Sequence, residues 1–371
     1  MRVLHVVAMT ERRDTELPAS DLVRALGNDG ARQCVAVLRD GGRTRERYEA
    51  PTILLDSGGL RIPFLRLDVA SLSDLRGFIR EWEPDVLHGH GGEALTYLVF
   101  ATLKARLPIV YRRDSEAASW VTSEPRRSTY AALMRRTTRI VVVTEAMRRE
   151  TIEVFNISPR KVVTIPEGFD PCRLEPTIGR EALRHSLGIP TVAPVILSLG
   201  TLGPGTDPLA HLEVLRLVLC ERADTVLVFA GDGPLRRQLE EAVKRDGLED
   251  RALVLGARTD VGDLLAASDV LLLAGRDTGK FGPLIEAGMT GLPVVGYEIS
   301  GVREVVEDGA TGFLVAPGNV RRLASRVIQL LQDDPARHAM GEAARERCRA
   351  FEIGKIAPRY LEVYRRASEA A

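Results

Sequence analysis

The sequence predicts an α/β protein of two Rossmann-like domains facing a central cleft, each with a parallel sheet covered by helices on both faces. Three observations support this. Short runs rich in Val, Ile and Leu recur along the chain, as in Arg2–Val7, Val195–Leu199 and Val270–Ala274. Strands buried on both faces read as continuous apolar runs, whereas half-exposed strands alternate. Longer segments with helical spacing separate these runs, as in a parallel sheet with crossover helices. The whole pattern occurs twice within 371 residues, a length that suits about two domains.

In the first half the expected strands are Arg2–Val7, Gln33–Leu38, Thr52–Asp56, Asp85–His88, Pro108–Arg112, Ile140–Thr144 and Val162–Ile165. Amphipathic segments at Ser20–Gly27, Leu72–Trp82, Glu93–Arg106 and Glu145–Phe155 supply the helices between them. The turn-rich run Ile165–Pro171 looks like a domain exit. The second half repeats the scheme with strands at Val195–Leu199, Thr225–Ala230, Ala252–Gly256, Val270–Ala274 and Pro293–Gly296. Its helices are Leu209–Arg222, Pro234–Arg245, Leu264–Ala267 and Pro283–Gly288, and the pattern is helical after Gly318. The expected division is a domain over 1–168, a linker over 169–190 and a domain over 191–351. A final helix, about 352–371, crosses back to the first domain. Ligands in such sheets bind outside the carboxyl ends of the strands.

Composition narrows the function classes. Lys plus Arg and Asp plus Glu are both 51, so the basic excess of a dedicated nucleic-acid binder is missing. The balance of 45% apolar and 27% charged residues is that of an ordinary globular protein. Cys34, Cys172, Cys220 and Cys348 are too far apart for a CxxC motif and fit reduced thiols. The first apolar run soon meets Glu11-Arg12-Arg13, and no stretch approaches the roughly 20 apolar residues of a membrane span. A cytoplasmic location is the expectation. The stretch 104–161 carries 13 Lys and Arg against 6 Asp and Glu, which reads as a solvated basic face or as a peripheral membrane contact.

Three glycine-bearing loops follow strands of the second half: Leu199–Asp207, Ala230–Pro234 and Ala274–Pro283. Glycine lets a backbone approach a ligand closely, and unpaired N–H groups at a helix start favour an anion. Glycine also serves tight strand-to-helix turns for steric reasons alone. No loop matches GxxxxGK[ST], and no full GxGxxG follows the first strand, which disfavours a P-loop NTPase and a simple NAD dehydrogenase. His88 and His90 form a His-x-His pair with no third ligand legible, so no metal site is expected.

Several segments together resemble the glycosyltransferases of family 4, which have the GT-B fold. They are Pro84–Gly92, Ile140–Arg149 followed by Val162–Asp170, Phe229–Pro234, and Glu286–Val295 continuing through Gly301, Glu304, Gly309, Gly312 and Phe313–Val315. The resemblance covers nearly the whole chain. It implies a nucleotide-sugar donor, UDP- or GDP-linked, held by the second domain, and a small-molecule or lipid acceptor held by the first. It also implies transfer with retention, no cofactor and no metal, and the lack of an Asp-x-Asp motif agrees with the last point.

Roles carry over position by position. Glu286 stands at the second Glu of the family's E-x7-E motif and would accept hydrogen bonds from ribose hydroxyls. Gly231 and Gly233 match the loop lining the donor cleft, and Arg258 lies in the segment that meets the base. Phe281, Gly282, Pro283 and Leu284 open the helix aimed at the diphosphate or sugar. The departures concern charge. Thr278, beside Asp277, stands at the motif's first Glu, and Thr201 and Thr206 stand where the family has an Arg and a Lys. The first-domain His is replaced within Tyr111–Ser115.

One preorganised charge-stabilising group is worth about 2.7–4 kcal/mol to a transition state. Either other cations substitute, or the chain is a catalytically silent GT-B protein that binds a nucleotide or a partner. On the first alternative Lys280 and Arg112 are the expected catalytic cations, with Asp114 as a base toward the acceptor. Thr10, His90, Gly91 and Arg113 are then the expected acceptor contacts. The acceptor nucleophile, O-, N- or S-, is not legible.

Overall fold

The computed structural model describes residues 1–9, 16–28, 30–40, 48–56, 58–62, 67–113, 115–117, 121, 123–276 and 281–370. It divides into two compact units, Met1–Phe169 with Phe351–Ala371, and Asp170–Ala350. Thr10, Asp114, Asp277, Thr278 and Lys280, all expected in the site, lie outside the described residues.

The first unit runs β1 (Arg2–Met9), α1 (Glu16–Asn28), β2 (Arg32–Arg39), β3 (Thr52–Leu54), β4 (Arg61–Ile62), β5 (Leu67–Asp68), α2 (Val69–Trp82), β6 (Val86–His90), α3 (Gly91–Ala101), β7 (Ile109–Arg113), α4 (Glu124–Arg135), β8 (Arg139–Val142), α5 (Glu145–Val154) and β9 (Val162–Thr164). Seven strands form one sheet in the order β3-β2-β1-β6-β7-β8-β9, every pair parallel. β4 and β5 make a small antiparallel ribbon. In β1, Leu4 and Val6 enter one core while Val3 and Val7 pack on the other face. Both faces are dry, hence the continuous apolar run.

The second unit contains α6 (Arg180–Ser186), β10 (Val195–Leu199), α7 (Pro208–Leu219), β11 (Val226–Ala230), α8 (Arg236–Arg245), β12 (Ala252–Gly256), α9 (Val261–Ala267), β13 (Val270–Leu273), α10 (Gly282–Thr290), β14 (Val294–Tyr297), α11 (Val302–Val305), β15 (Gly312–Val315), α12 (Val320–Gln332) and α13 (Asp334–Cys348). Its six-stranded sheet has the order β12-β11-β10-β13-β14-β15, again parallel. Asp333 ends α12 and caps α13 by accepting from Ala336 N at 2.9 Å, with Pro335 in the first turn.

The chain then returns to the first unit as α14 (Ile353–Glu369). Phe169 N donates to Phe351 O at 3.0 Å, and Ile353 N donates to Phe169 O at 2.8 Å, stitching the start of the helix to the end of the earlier segment. Ile356, Tyr360, Val363 and Tyr364 pack on Val3, Val86, Val110 and Val141. The stretch expected as a linker, 169–190, carries α6, whose Arg184 is buried and paired with Asp269 at 3.0 Å. α3 stops at Ala101 instead of reaching Arg106. Thr102 is its C-cap residue, out of the helical conformation, and its hydroxyl donates to Leu98 O at 2.8 Å.

Strand order reverses once in each sheet, between β1 and β6 and between β10 and β13. Crevices that take ligands form at such switch points, outside the carboxyl ends of the strands.

Candidate functional site

At the switch point of the second unit the three glycine loops are laced together by backbone. Leu202 N donates to Asp232 O at 3.0 Å, Leu235 N to Leu202 O at 3.0 Å, and Arg276 N to Gly205 O at 2.7 Å. A Cβ on Gly231 would lie 1.7 Å from Gly200 O, and one on Gly233 would lie 2.3 Å from Leu202 O. These two glycines are therefore required by loop-to-loop contact. Gly200, at φ +124°, makes the turn out of β10. Thr206 Oγ1 accepts from Gly203 N at 3.0 Å and so shapes the turn before α7, while Thr201 is exposed.

α10 starts beside this lacing. Phe281 is its N-cap residue and makes no side-chain cap bond, and Pro283 occupies the first turn. Phe281 and Leu284 are buried and anchor the helix, and Glu286 stands half-buried one turn in. The first N–H groups of such a helix carry partial positive charge without an internal acceptor. Arg258 is gripped by Asp260, with Nε to Oδ1 at 2.8 Å and a second contact through Nη2. Arg276, at the end of β13, is exposed and has no ion pair among the described residues.

The sequence reading missed His211. It is buried in α7, with Nδ1 3.0 Å from Asp207 O and Nε2 accepting from Ala274 N at 3.1 Å. It thus ties the start of α7 to the end of β13, across the switch point. Burial lowers its pKa and keeps it neutral. The available signal was its place four residues after Asp207, which caps α7 through Ala210 N at 3.2 Å.

The switch point of the first unit is built differently. β6 ends in His90, and α3 begins at Gly91, whose φ of +80° suits glycine. His90 is fully buried, with Nε2 3.1 Å from His5 Nδ1; His5 Nε2 lies 3.1 Å from Gln33 Oε1. Gln33 donates its amide to Val23 O at 2.7 Å, so its oxygen faces His5. That assigns the His5 proton to Nε2, and His90 donates from Nε2 to His5 Nδ1. Tyr364 Oη lies 2.7 Å from His88 Nδ1. Burial pushes the pKa of His5 down to about 4 and those of His88 and His90 well below the usual value.

Arg112 and Arg113 leave β7 on opposite faces. Arg112 pairs with Glu167, and both are buried. Arg113 bonds Glu150 and Thr151 Oγ1, the latter at 2.6 Å, and its guanidinium lies 5.1 Å from the Phe155 ring centre. Both cations are thus spent inside the first unit, the one expected in catalysis and the one expected at the acceptor. Much of the basic stretch is answered in the same local way. Arg127 pairs with Glu124 and Arg148 with Glu145, and Lys161 Nζ donates to the carbonyls of Arg135 and Thr137 at 2.7 and 2.8 Å. Among the described residues no helix is long and apolar enough to cross a membrane.

Known proteins share this architecture. Residues 19–173 match the family model described as Glycosyltransferase Family 4, and residues 179–347 match the one described as Glycosyl transferases group 1. The D-inositol 3-phosphate glycosyltransferase of Kineococcus radiotolerans is 35% identical over 250 residues, which are 62% of this chain and 57% of that protein. The chain thus spans little more than half the length of that relative. The N-acetyl-alpha-D-glucosaminyl L-malate synthase of Bacillus anthracis is 26% identical over 302 residues, 80% of this chain and 78% of that one. The crystal structure of Anabaena HepE in complex with UDP and glucose has a TM-score of 0.86 at 21% identity, covering 98% of this chain and 99% of that one. With one family model on each half and the same doubled parallel-sheet fold, the chain belongs to the glycosyltransferases of the GT-B fold, of the family-4 kind.

Proposed function

We propose that the protein moves a sugar from a nucleoside-diphosphate sugar, carried by UDP or GDP, to a small-molecule acceptor, with retention and without metal or cofactor in the reaction. The observation that carries this reading is the uncapped start of α10 at the β10/β13 switch point, with Glu286 one turn further on. Helix N–H groups there suit a diphosphate, and an ionised carboxylate suits a pair of ribose hydroxyls. Arg276 adds an exposed cation at the same edge.

Two relatives support a small acceptor. The Kineococcus enzyme is named for D-inositol 3-phosphate and the Bacillus enzyme for L-malate, both small and anionic. Acceptor recognition falls to the first unit at the ends of β1, β6 and β7, which Thr10, Gly91 and Asp114 adjoin in sequence.

Calorimetric titration with UDP, GDP, ADP and dTDP tests the reading. One of them is expected to bind, and Glu286→Ala weakens it by about 1.5–3 kcal/mol, roughly ten- to a hundredfold in Kd. Absence of heat with all four sinks the proposal. A second reading, a silent binding protein, is favoured by the burial of Arg112 and Arg113 in ion pairs. Slow release of UDP or GDP from a sugar nucleotide excludes it.

A further inference from the structure

Outside the sugar-transfer reading, the described residues hold one group of side chains with the chemistry of a metal centre. His5, His88 and His90 each offer a ring nitrogen, and these three atoms lie within 4.8 Å of one another in the interior of the first unit. Sequence separates His5 from the pair. The parallel register of β1 and β6 sets His5 opposite His88, and strand alternation puts His88 and His90 on one face.

Among the described residues His88 Nε2 and His90 Nδ1 have no hydrogen-bond partner, although all three rings are fully buried; one ring cannot give both nitrogens to one ion, so His88 Nε2 is the atom that counts beside the His5–His90 pair. An unpaired buried polar atom marks a place where a water or an ion belongs. The outer nitrogens are oriented from behind, His5 Nε2 by Gln33 and His88 Nδ1 by Tyr364. Metal-bound imidazoles are held in this way, with the far nitrogen bonded to a second group, and two of the three rings here have that support.

Arg112, whose charge acts on His90, is paired with Glu167. Two nitrogens each about 2.0–2.1 Å from a tetrahedral ion lie roughly 3.3 Å apart. His5 Nδ1 and His90 Nε2 are 3.1 Å apart, so an ion can take the place of the proton they share. Nitrogen-only donors suit zinc and its neighbours and not magnesium or calcium.

We propose that His5, His88 and His90 bind one divalent ion of the zinc class, a site that stabilises the first unit and lies apart from the donor chemistry. His5 Nδ1, His90 Nε2 and His88 Nε2 are the ligands, and a water fills the fourth position. Gln33 and Tyr364 are positioning residues for the site.

The test is elemental analysis of the full chain purified without chelator, followed by Co2+ titration of the chelated protein. About one equivalent of metal is expected, with visible Co2+ absorption of a low-coordinate nitrogen site. The melting midpoint falls on chelation and is restored by Zn2+ alone. His5→Asn and His88→Gln should each lose the ion and the Co2+ spectrum. If a variant does not fold, the wild-type stoichiometry and Co2+ spectrum still decide. A metal-free chain whose midpoint ignores added Zn2+ overturns the proposal, as does a bound ion that survives His5→Asn. Neither result bears on nucleotide binding, so the two proposals fail separately.

Discussion

At the carboxyl end of β6 the first unit sets His90 and Gly91 at the start of α3; at the carboxyl end of β13 the second sets Phe281, Gly282 and Pro283 at the start of α10. Both places lie beside a reversal of strand order in a parallel sheet. Around the first, polar side chains turn inward and answer one another: Arg112 with Glu167, Arg113 with Glu150, and His5 with Gln33 and His90. Around the second, the glycine loops meet backbone to backbone, made possible by Gly231 and Gly233, His211 and Thr206 bond backbone groups, and among the described residues no side chain caps the helix start. Topology therefore provides two equivalent positions, and local side-chain size decides what each presents. Glycine exposes N–H groups to an anion. Buried ion pairs consume the charges that would otherwise meet a ligand.

The sharpest way to break that comparison is Glu167→Ala. It removes the carboxylate partner of the buried Arg112 guanidinium, and the expected loss is about 3–5 kcal/mol in chemical denaturation. The double variant Arg112→Met with Glu167→Leu should recover most of it. A single-variant loss below about 1 kcal/mol would mean that Arg112 reaches water and that the first unit's edge is open.

Gly231→Ala comes next. The new methyl meets Gly200 O, so the β10 and β11 loops must part, at about 1–3 kcal/mol. Gly77→Ala is the control: it lies in α2 with nothing within 4 Å of its Cβ position, and it should stabilise by about 0.5–1 kcal/mol. Equal and small effects at both positions would remove the steric account of the glycine loops.

The smallest effect is a pH dependence in the second unit. The pKa of His211 is lowered in the fold. Below about pH 6.5 the unfolded chain takes up a proton that the native state refuses. His211 therefore contributes fully above that pH, and its contribution is lost as the pH falls toward its folded pKa. The loss is read as the difference in pH slope between the parent and His211→Gln, and identical slopes would show that the imidazole is not shielded.

Much of the fold was legible because it is written in short-range pattern. A strand dry on both faces reads as a nearly continuous apolar run, and Val3–Val7, Val195–Leu199 and Val270–Leu273 show this, broken only by the buried His5 and Ser198. The α10 segment was legible too, since Gly282-Pro283 marks a helix start and Glu286 follows at helical spacing. The pairing of Arg112 and Arg113 was not legible. Their partners lie 55 and 37 residues further on, and charges ending a strand read equally well as a solvated edge. His211 was hidden for the same reason, because its use depends on Ala274, 63 residues away.

By itself the sequence determined the class of most strands and helices, the doubling of the sheet and the family, all of which rest on hydrophobic period and on residues a few positions apart. Only the tertiary structure decided which charged and imidazole groups are satisfied internally. A buried ionisable group depends on partners delivered by other strands, and strand register, not proximity in the chain, brings them within hydrogen-bond reach.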